Sequence, residues 1–339
     1  MSIRVRCIEA ARSRMRAGRG RTAARVLAVL AAFTLEAAAQ TTYPAKPIRI
    51  VIPFSAGGST DLMARAIGAR LTGAWGQQVV ADNRAGADGI VASEIVARAN
   101  PDGYSLLMNA IGHAANASLY RKLPYDTLRD FTPIILAADV PMLLAVHPQL
   151  KVSTVSELLA LARAKPGQLN AATGGIGASH HLAVELFRIA TKIEFQQVHY
   201  KGAAPALLEL VAGRMDMMFA PISSCIQYIN AGRLKALGVT SPQRVSIAPD
   251  LPTIAESGVP GYEARAWYGL VGPAGVNKDI VLKLNRQVNE ILRGAEFSAR
   301  LNALGAVPMG GSADEFSDFI QREVKKYAMV VKAAGIRAE

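Results

Sequence analysis

Two short stretches of this chain place glycines and hydroxyl side chains directly ahead of a helix. The first is Phe54-Ser55-Ala56-Gly57-Gly58-Ser59-Thr60-Asp61 and the second is Thr173-Gly174-Gly175-Ile176-Gly177-Ala178-Ser179-His180. Glycines let a backbone approach a ligand closely, and the first N–H groups of a helix have no intrahelical partner. The helix dipole adds partial positive charge at the same place, so each corner is suited to hold an anion. Neither stretch carries the lysine or the spacing of a GxxxxGK[ST] phosphate loop. The expected chemistry is therefore capture of a small acidic group that is held and not transferred.

Other residue types fit less well. Ser179 and His180 are adjacent, no GxSxG elbow is present and no third partner is evident, so a hydrolytic triad is not expected. His180 and His181 at a helix start diverge by about 100° and no second ligand cluster follows, so neither a metal site nor a cofactor is expected. Asp61 is placed to cap its helix, and its direct contact with a bound carboxylate would need a water or an amine on the ligand. Asn109, at the end of an apolar run, and Ala220, at the end of 215–220, are further candidate contacts. Lys201, after Tyr200, reads equally as an attractor of acids and as a solvated surface lysine. Trp267 and Tyr268 are expected to pack rather than to stack on a ligand.

The elements that must position these groups alternate between strand and helix. Strands are expected at 48–54, 78–81 and 104–108, with helices at 60–74 and 87–99; this βαβαβ rhythm predicts a parallel sheet covered by helices. Residues 119–132 read as irregular, and 133–146 as two apolar segments broken by Asp139 and Pro141. A second run follows: helix 155–164, strand 169–172, helix 180–190, strand 195–200, helix 203–212, and strands 215–219 and 234–240. Beyond about residue 267 the chain reads as long amphipathic helices at 278–293 and 313–334. The two glycine corners lie about 120 residues apart, one in each run, and can face each other across a cleft at the carboxyl ends of their strands.

Residues 1–39 read as a secretory leader: a basic segment with eight Arg and two Glu, an apolar core at 26–35, and Ala37-Ala38-Ala39 for cleavage. They account for +6 of the net charge of +12, leaving a mildly basic chain of about 300 residues that attracts acidic solutes. Without the leader, Cys225 is the sole cysteine, so no intramolecular disulfide is possible and a buried thiol is expected. No basic cluster is interleaved with aromatics, and no nucleic-acid partner is expected.

An ordered set of motifs covers nearly all of the chain after the leader. It runs Tyr43-Pro44-x-Lys46-Pro47-Ile48, Pro53 to Asp61, Asn100-Pro101-Asp102-Gly103-Tyr104, Leu123-Pro124-Tyr125-Asp126, Asp130-Phe131-Thr132-Pro133-Ile134, His181-Leu182-x-x-Glu185-Leu186-Phe187, Tyr200-Lys201-Gly202-x-x-Pro205-Ala206, Leu251 to Gly258, and Trp267-Tyr268-Gly269-Leu270. In these the chain resembles the Bug-type extracytoplasmic solute receptors of tripartite tricarboxylate transport systems. The resemblance implies an α/β, two-lobed periplasmic binding protein fold, each lobe a mostly parallel sheet flanked by helices, joined by a two-strand hinge. Lobe 1 would comprise 40–141 and the return segment 265–339, and lobe 2 would comprise 142–264. It implies that Phe54 to Thr60 and Thr173 to His180 are pincers that hold a small carboxylate through backbone N–H groups, hydroxyls and water. Relatives more often carry serine or asparagine in the second pincer. Here Ile176 and Ala178 are apolar, which leaves room for a monocarboxylate with an apolar or aromatic body.

What the resemblance implies overall is a monomeric, non-enzymatic periplasmic receptor, exported with cleavage near Ala39. It would close around a mono- or dicarboxylate, an aromatic acid or an amino acid and deliver it to membrane permease subunits. The alternative is a periplasmic sensory receptor that presents the acid to a two-component sensor kinase. An exported hydrolase is the third possibility, and the missing triad speaks against it.

Overall fold

The computed structural model describes residues 43–57, 59–303 and 305–337. Residues 1–42, on which the expected leader falls, Gly58, Leu304 and the last two residues lie outside it. All elements below belong to a unit that begins at Lys46.

The first βαβαβ run forms as its alternation requires. Strand β1 (Ile48–Ile52) pairs in parallel with β2 (Val79–Asn83) and with β3 (Ser105–Ala110). Helix α1 (Ser59–Trp75) follows β1, and α2 (Ile90–Ala97) precedes β3. The helix expected over 87–99 begins only at Ile90, because Ala87 and Asp88 have left-handed φ of 44° and 50° in a one-turn segment. Residues 111–118, assigned no element from the sequence, form with Leu119 the helix α3 (Ile111–Leu119), which starts directly at the end of β3.

Two long strands join this sheet to a second. Strand β4 (Phe131–Val146) is one continuous element and not two broken ones. Its first part pairs antiparallel with β9 (Arg265–Pro273) through Pro141↔Arg265. From Met142 it pairs antiparallel with β7 (Met217–Pro221), and from Leu143 with β8 (Lys235–Val239). Proline has no N–H to donate, and Pro141 stands where the strand changes neighbours. Strand β9 in turn pairs antiparallel with β3. In the second sheet β5 (Asn170–Thr173) lies parallel to β6 (Gln196–His199) and to β7. Its helices are α4 (Val155–Ala164), α5 (Ser179–Thr191), α6 (Ala203–Val211) and α7 (Ile222–Asn230). Helices α8 (Lys278–Arg293), α9 (Ala295–Ala303) and α10 (Ala313–Ala334) complete the chain, with a short β10 (Val307–Pro308) paired to β4. The first sheet thus keeps β1, β2 and β3 parallel with β9 antiparallel beside β3, and the second keeps β5, β6 and β7 parallel with β4 antiparallel beside β7.

Side-chain alternation along these strands divides the core. Met142, Leu144 and Val146 of β4 join Met217 and Phe219 of β7 in one cluster with Phe187 of α5. The intervening Leu143 and Ala145 join Met218 and Ala220 in another, with Leu210 of α6 and Cys225 of α7. Successive strand residues point to opposite faces, so both faces of this sheet are apolar and covered. Burial pushes the Cys225 thiol up to about 12, as expected of a packed and unreactive cysteine. In the first lobe Val51, Leu107 and Val271 pack with α3 and with Phe316, Ile320 and Tyr327 of α10.

Candidate ligand-binding site

The first corner is tied together by Asp61. Its buried carboxylate accepts from the Gly57 N–H at 2.9 Å, from Arg65 Nε at 2.9 and 3.0 Å, and from Asn83 Nδ2 at 3.0 Å. Asn83 Nδ2 also donates to the Phe54 carbonyl at 2.9 Å. Burial pushes this carboxyl up, but Arg65, the Gly57 N–H and Asn83 together hold it below the ordinary carboxylate value. Asp61 therefore fixes the loop from behind. Burial raises the Tyr268 pKa on β9, and the nearby Thr60 and Ser59 side chains oppose that rise, which places this corner beside the crossing strand.

The second corner is held by a histidine. His181 Nδ1 accepts the Gly177 N–H at 3.0 Å, so the ring proton sits on Nε2, which faces Glu185 Oε1 at 3.9 Å. Glu185 is itself bound by Arg188 Nε at 3.0 Å and by the Gln197 amide. Thr173 Oγ1 and His199 Nδ1 lie 2.6 Å apart, and the His199 and His181 rings meet edge to face. Burial lowers the His180 and His181 pKa values to about 4, with His199 adding to the shift at His181. Both are neutral at pH 7.

A cavity of about 350 Å³ lies between the two corners. Phe54, Thr60, Gly174, Gly177, Ala178, Ser179 and His180 line it. Ser55, Ala56, Gly57, Ser59, Gly175 and Ile176 belong to the same loops without lining it, and Asp61 and Thr173 support the loops from within. Gly58 is outside the described residues. Asn109 is buried inside β3 with neither amide atom hydrogen-bonded, beside a separate void of about 10 Å³. Ala220 is packed between α6 and α7 because the strand alternation turns it there. Lys201 is exposed and does not line the cavity. Trp267 packs as expected, fully buried with its edge contacts to Phe316 and Phe319 and its Nε1 donating to Glu323 at 2.9 Å. Tyr268, one residue on, points the other way and lines the cavity.

Residues outside the two glycine motifs complete the wall: Asp88, Ala110, Ile111, Gly112, Gly202, Ala203, Ala266 and Tyr268. Ala110, Ile111, Gly112, Gly202 and Ala203 sit where a parallel strand leads into a helix, at β3–α3 and β6–α6 as at β1–α1 and β5–α5, whereas Asp88 lies ahead of α2 and Ala266 and Tyr268 lie in β9. Helices α3, α5 and α6 open on Ala110, Ala178 and Gly202, and none of these caps supplies a side-chain hydrogen bond. Helices α4, α8 and α10, away from the cavity, are capped by Thr154, Asn277 and Ser312. Helices α2 and α7 are also uncapped, at Gly89 and Pro221. The wall thus carries uncapped helix N-termini and the hydroxyls of Thr60, Ser179 and Tyr268, with no Lys or Arg. Such a surface offers N–H donors to an anion without a formal countercharge.

A larger concavity of about 900 Å³ runs between α5 and α10. No helix N-terminus cap of the kind above lines it, and several of its charges are already paired: Arg265 with Glu263 and Asp139, and Lys326 with Glu323. It lacks the donor set of the smaller cavity.

Comparison with known proteins agrees with this geometry. The family model described as tripartite tricarboxylate transporter family receptor, TctC, matches residues 63–336. Protein BugT of Bordetella pertussis is 35% identical over 320 residues, covering 92% of this chain and 98% of its own. The R. palustris protein Rpa4515, solved with adipate, superposes with a TM-score of 0.78 at 38% identity, covering 87% of this chain and 99% of its own. MatC from Rhodopseudomonas palustris, solved with bound malate, gives a TM-score of 0.74 at 33% identity, covering 85% of this chain and all of its own. The chain belongs to the TctC family of tripartite tricarboxylate transporter receptors, the Bug-type solute-binding proteins.

Proposed function

We propose that this protein captures a small carboxylate between its β1–α1 and β5–α5 corners in the periplasm and delivers it to the membrane subunits of a tripartite transporter. The observation that carries the reading is the cavity between the corners, lined by the uncapped ends of α3, α5 and α6 and by three hydroxyls, without a basic side chain. Similarity to adipate- and malate-bound relatives supports the ligand class. In this reading lobe 1 is 40–141 with 265–339, lobe 2 is 142–264, and the change of partners at Pro141–Met142 is one strand of the hinge. Closure needs only that ligand bind the closed form better than the open one. No helix among the described residues is long and apolar enough to cross a membrane.

The test is thermal unfolding of the chain from about Gln40, refolded to strip carried ligand, against mono-, di- and tricarboxylates, aromatic acids and amino acids. A ligand at about 100 times its Kd adds roughly 2.7 kcal/mol and raises the midpoint visibly. No shift with any acid would overturn the carboxylate reading.

A further inference from the structure

Asp88 is the one formally charged side chain among the residues that line the cavity, since His180 is neutral. It sits in the turn Ala87–Gly89 ahead of α2, at a left-handed φ of 50° next to Ala87 at 44°. Such backbone is uncommon outside glycine, although aspartate tolerates it better than most residues. Two groups keep the turn in place. Asn116 Nδ2 donates to the Asp88 carbonyl at 3.0 Å, and the Tyr120 hydroxyl donates to Asp88 Oδ2 at 2.9 Å. Oδ1 accepts no hydrogen bond and no cation pairs with the carboxylate among the described residues. Asp88 is thus an exposed, oriented anion among the lining residues of a cavity whose other polar groups are donors suited to a second anion.

These two features divide the cavity by charge. A ligand carboxylate fits the helix N-termini. A second carboxylate on the same ligand would meet Asp88 with no cation in the wall to offset the repulsion. An ammonium group would find there a charge-assisted hydrogen-bond partner. We infer that Asp88 makes the receptor charge-selective: its ligand is a carboxylic acid that also carries an ammonium group, with the carboxylate at the helix ends and the ammonium at Asp88. This rests on the carboxylate-receptor reading above and narrows it, against the diacids bound by the relatives.

The test uses matched pairs that differ only in the terminal group: 4-aminobutanoate with glutarate, 5-aminopentanoate with adipate, and 6-aminohexanoate with pimelate. Pentanoate and hexanoate serve as acids with neither group, and binding is measured by calorimetry. The wild type should bind at least one amino acid tenfold or more tighter than its diacid partner. Asp88→Asn keeps an oxygen for Tyr120 to donate to, and should erase or reverse that ratio. Tyr120→Phe frees the carboxylate and should shrink the ratio without reversing it. Tighter binding of the diacids with the ratio unmoved by Asp88→Asn would overturn the inference and leave the receptor reading standing. Silence from all three classes would overturn both.

Discussion

Acid should weaken this fold well above the usual carboxylate range, because three histidines are buried in neutral form. His113, His180 and His181 each have their pKa lowered by burial from 6.5 to about 4. A histidine with a folded pKa below its unfolded value binds more protons in the unfolded chain, so stability falls as pH drops from 6.5 towards 4. Between pH 7 and pH 5 each ring costs just under ~2 kcal/mol, and the three together about 5–6 kcal/mol. Asp139 acts in the opposite sense. Burial raises its carboxyl to about 6, with Arg265 opposing and Glu263 and Glu323 adding to the rise. The folded form therefore takes up that proton first and recovers about 1 kcal/mol at pH 5. Asp61, Asp82 and Asp126 are held below the ordinary value, so the stability they add is lost only when pH falls below about 4. The net loss from pH 7 to pH 5 is about 4 kcal/mol, a large part of a typical stability of about 5–15 kcal/mol. Urea unfolding followed by tryptophan fluorescence reads this as a falling midpoint at constant slope. His113→Phe should remove about one third of the histidine contribution to the pH dependence. A midpoint that stays flat from pH 7 to pH 5, or imidazole NMR titrations near 6.5 for all three rings, would refute the reasoning.

Further expectations concern the two corners and the packing behind them. A Cβ at Gly174 would stand 2.9 Å from Ala203 N and 3.0 Å from Gly202 C, both backbone atoms, so Gly174→Ala should displace the α6 corner and weaken binding at least tenfold by calorimetry. At Gly177, with φ of +79°, a Cβ would lie 2.8 Å from Leu119 Cδ1; Gly177→Ala should cost about 1–3 kcal/mol in urea unfolding, because the left-handed strain and the overpacking add. Asp61→Asn should cost about 1–3 kcal/mol at pH 7, and the difference from wild type should shrink as pH falls below the ordinary carboxylate value, disappearing only at the still lower pH where the folded wild-type carboxyl protonates. Trp267→Phe strips Glu323 of its indole donor and should cost about 2–3 kcal/mol, which urea unfolding followed by circular dichroism would measure.

The two C-terminal helices were legible in the sequence because their signals are local. Helix α8 carries an apolar stripe behind the Asn277 cap, and α10 starts with a Ser312–Glu315 capping box. Helices α3 and α7 were not legible, because they begin at Ala110 and Pro221 with no capping side chain to announce them. Strand β4 looked broken at Pro141, whereas the proline only marks the change from β9 to β7 and β8. In the site, the glycines pointed to both corners. The remaining wall depends on strand order, which brings β3 beside β1 and β9 beside β3, and so sets Ile111 and Tyr268 against Thr60. That neighbourhood has no local signal. Asp88 was hidden for a different reason: the helix expected over 87–99 covered the left-handed turn that carries it.

A crystal structure of the refolded receptor with the tightest acid from the calorimetric panel tests the carboxylate cradle most directly. The expected density places one carboxylate at the N-termini of α1 and α5, within hydrogen-bond distance of backbone N–H groups and of the Thr60 or Ser179 hydroxyls, with no lysine or arginine side chain in contact. An acid seated instead in the concavity between α5 and α10, or paired with Arg265, Arg322 or Lys326, would contradict it.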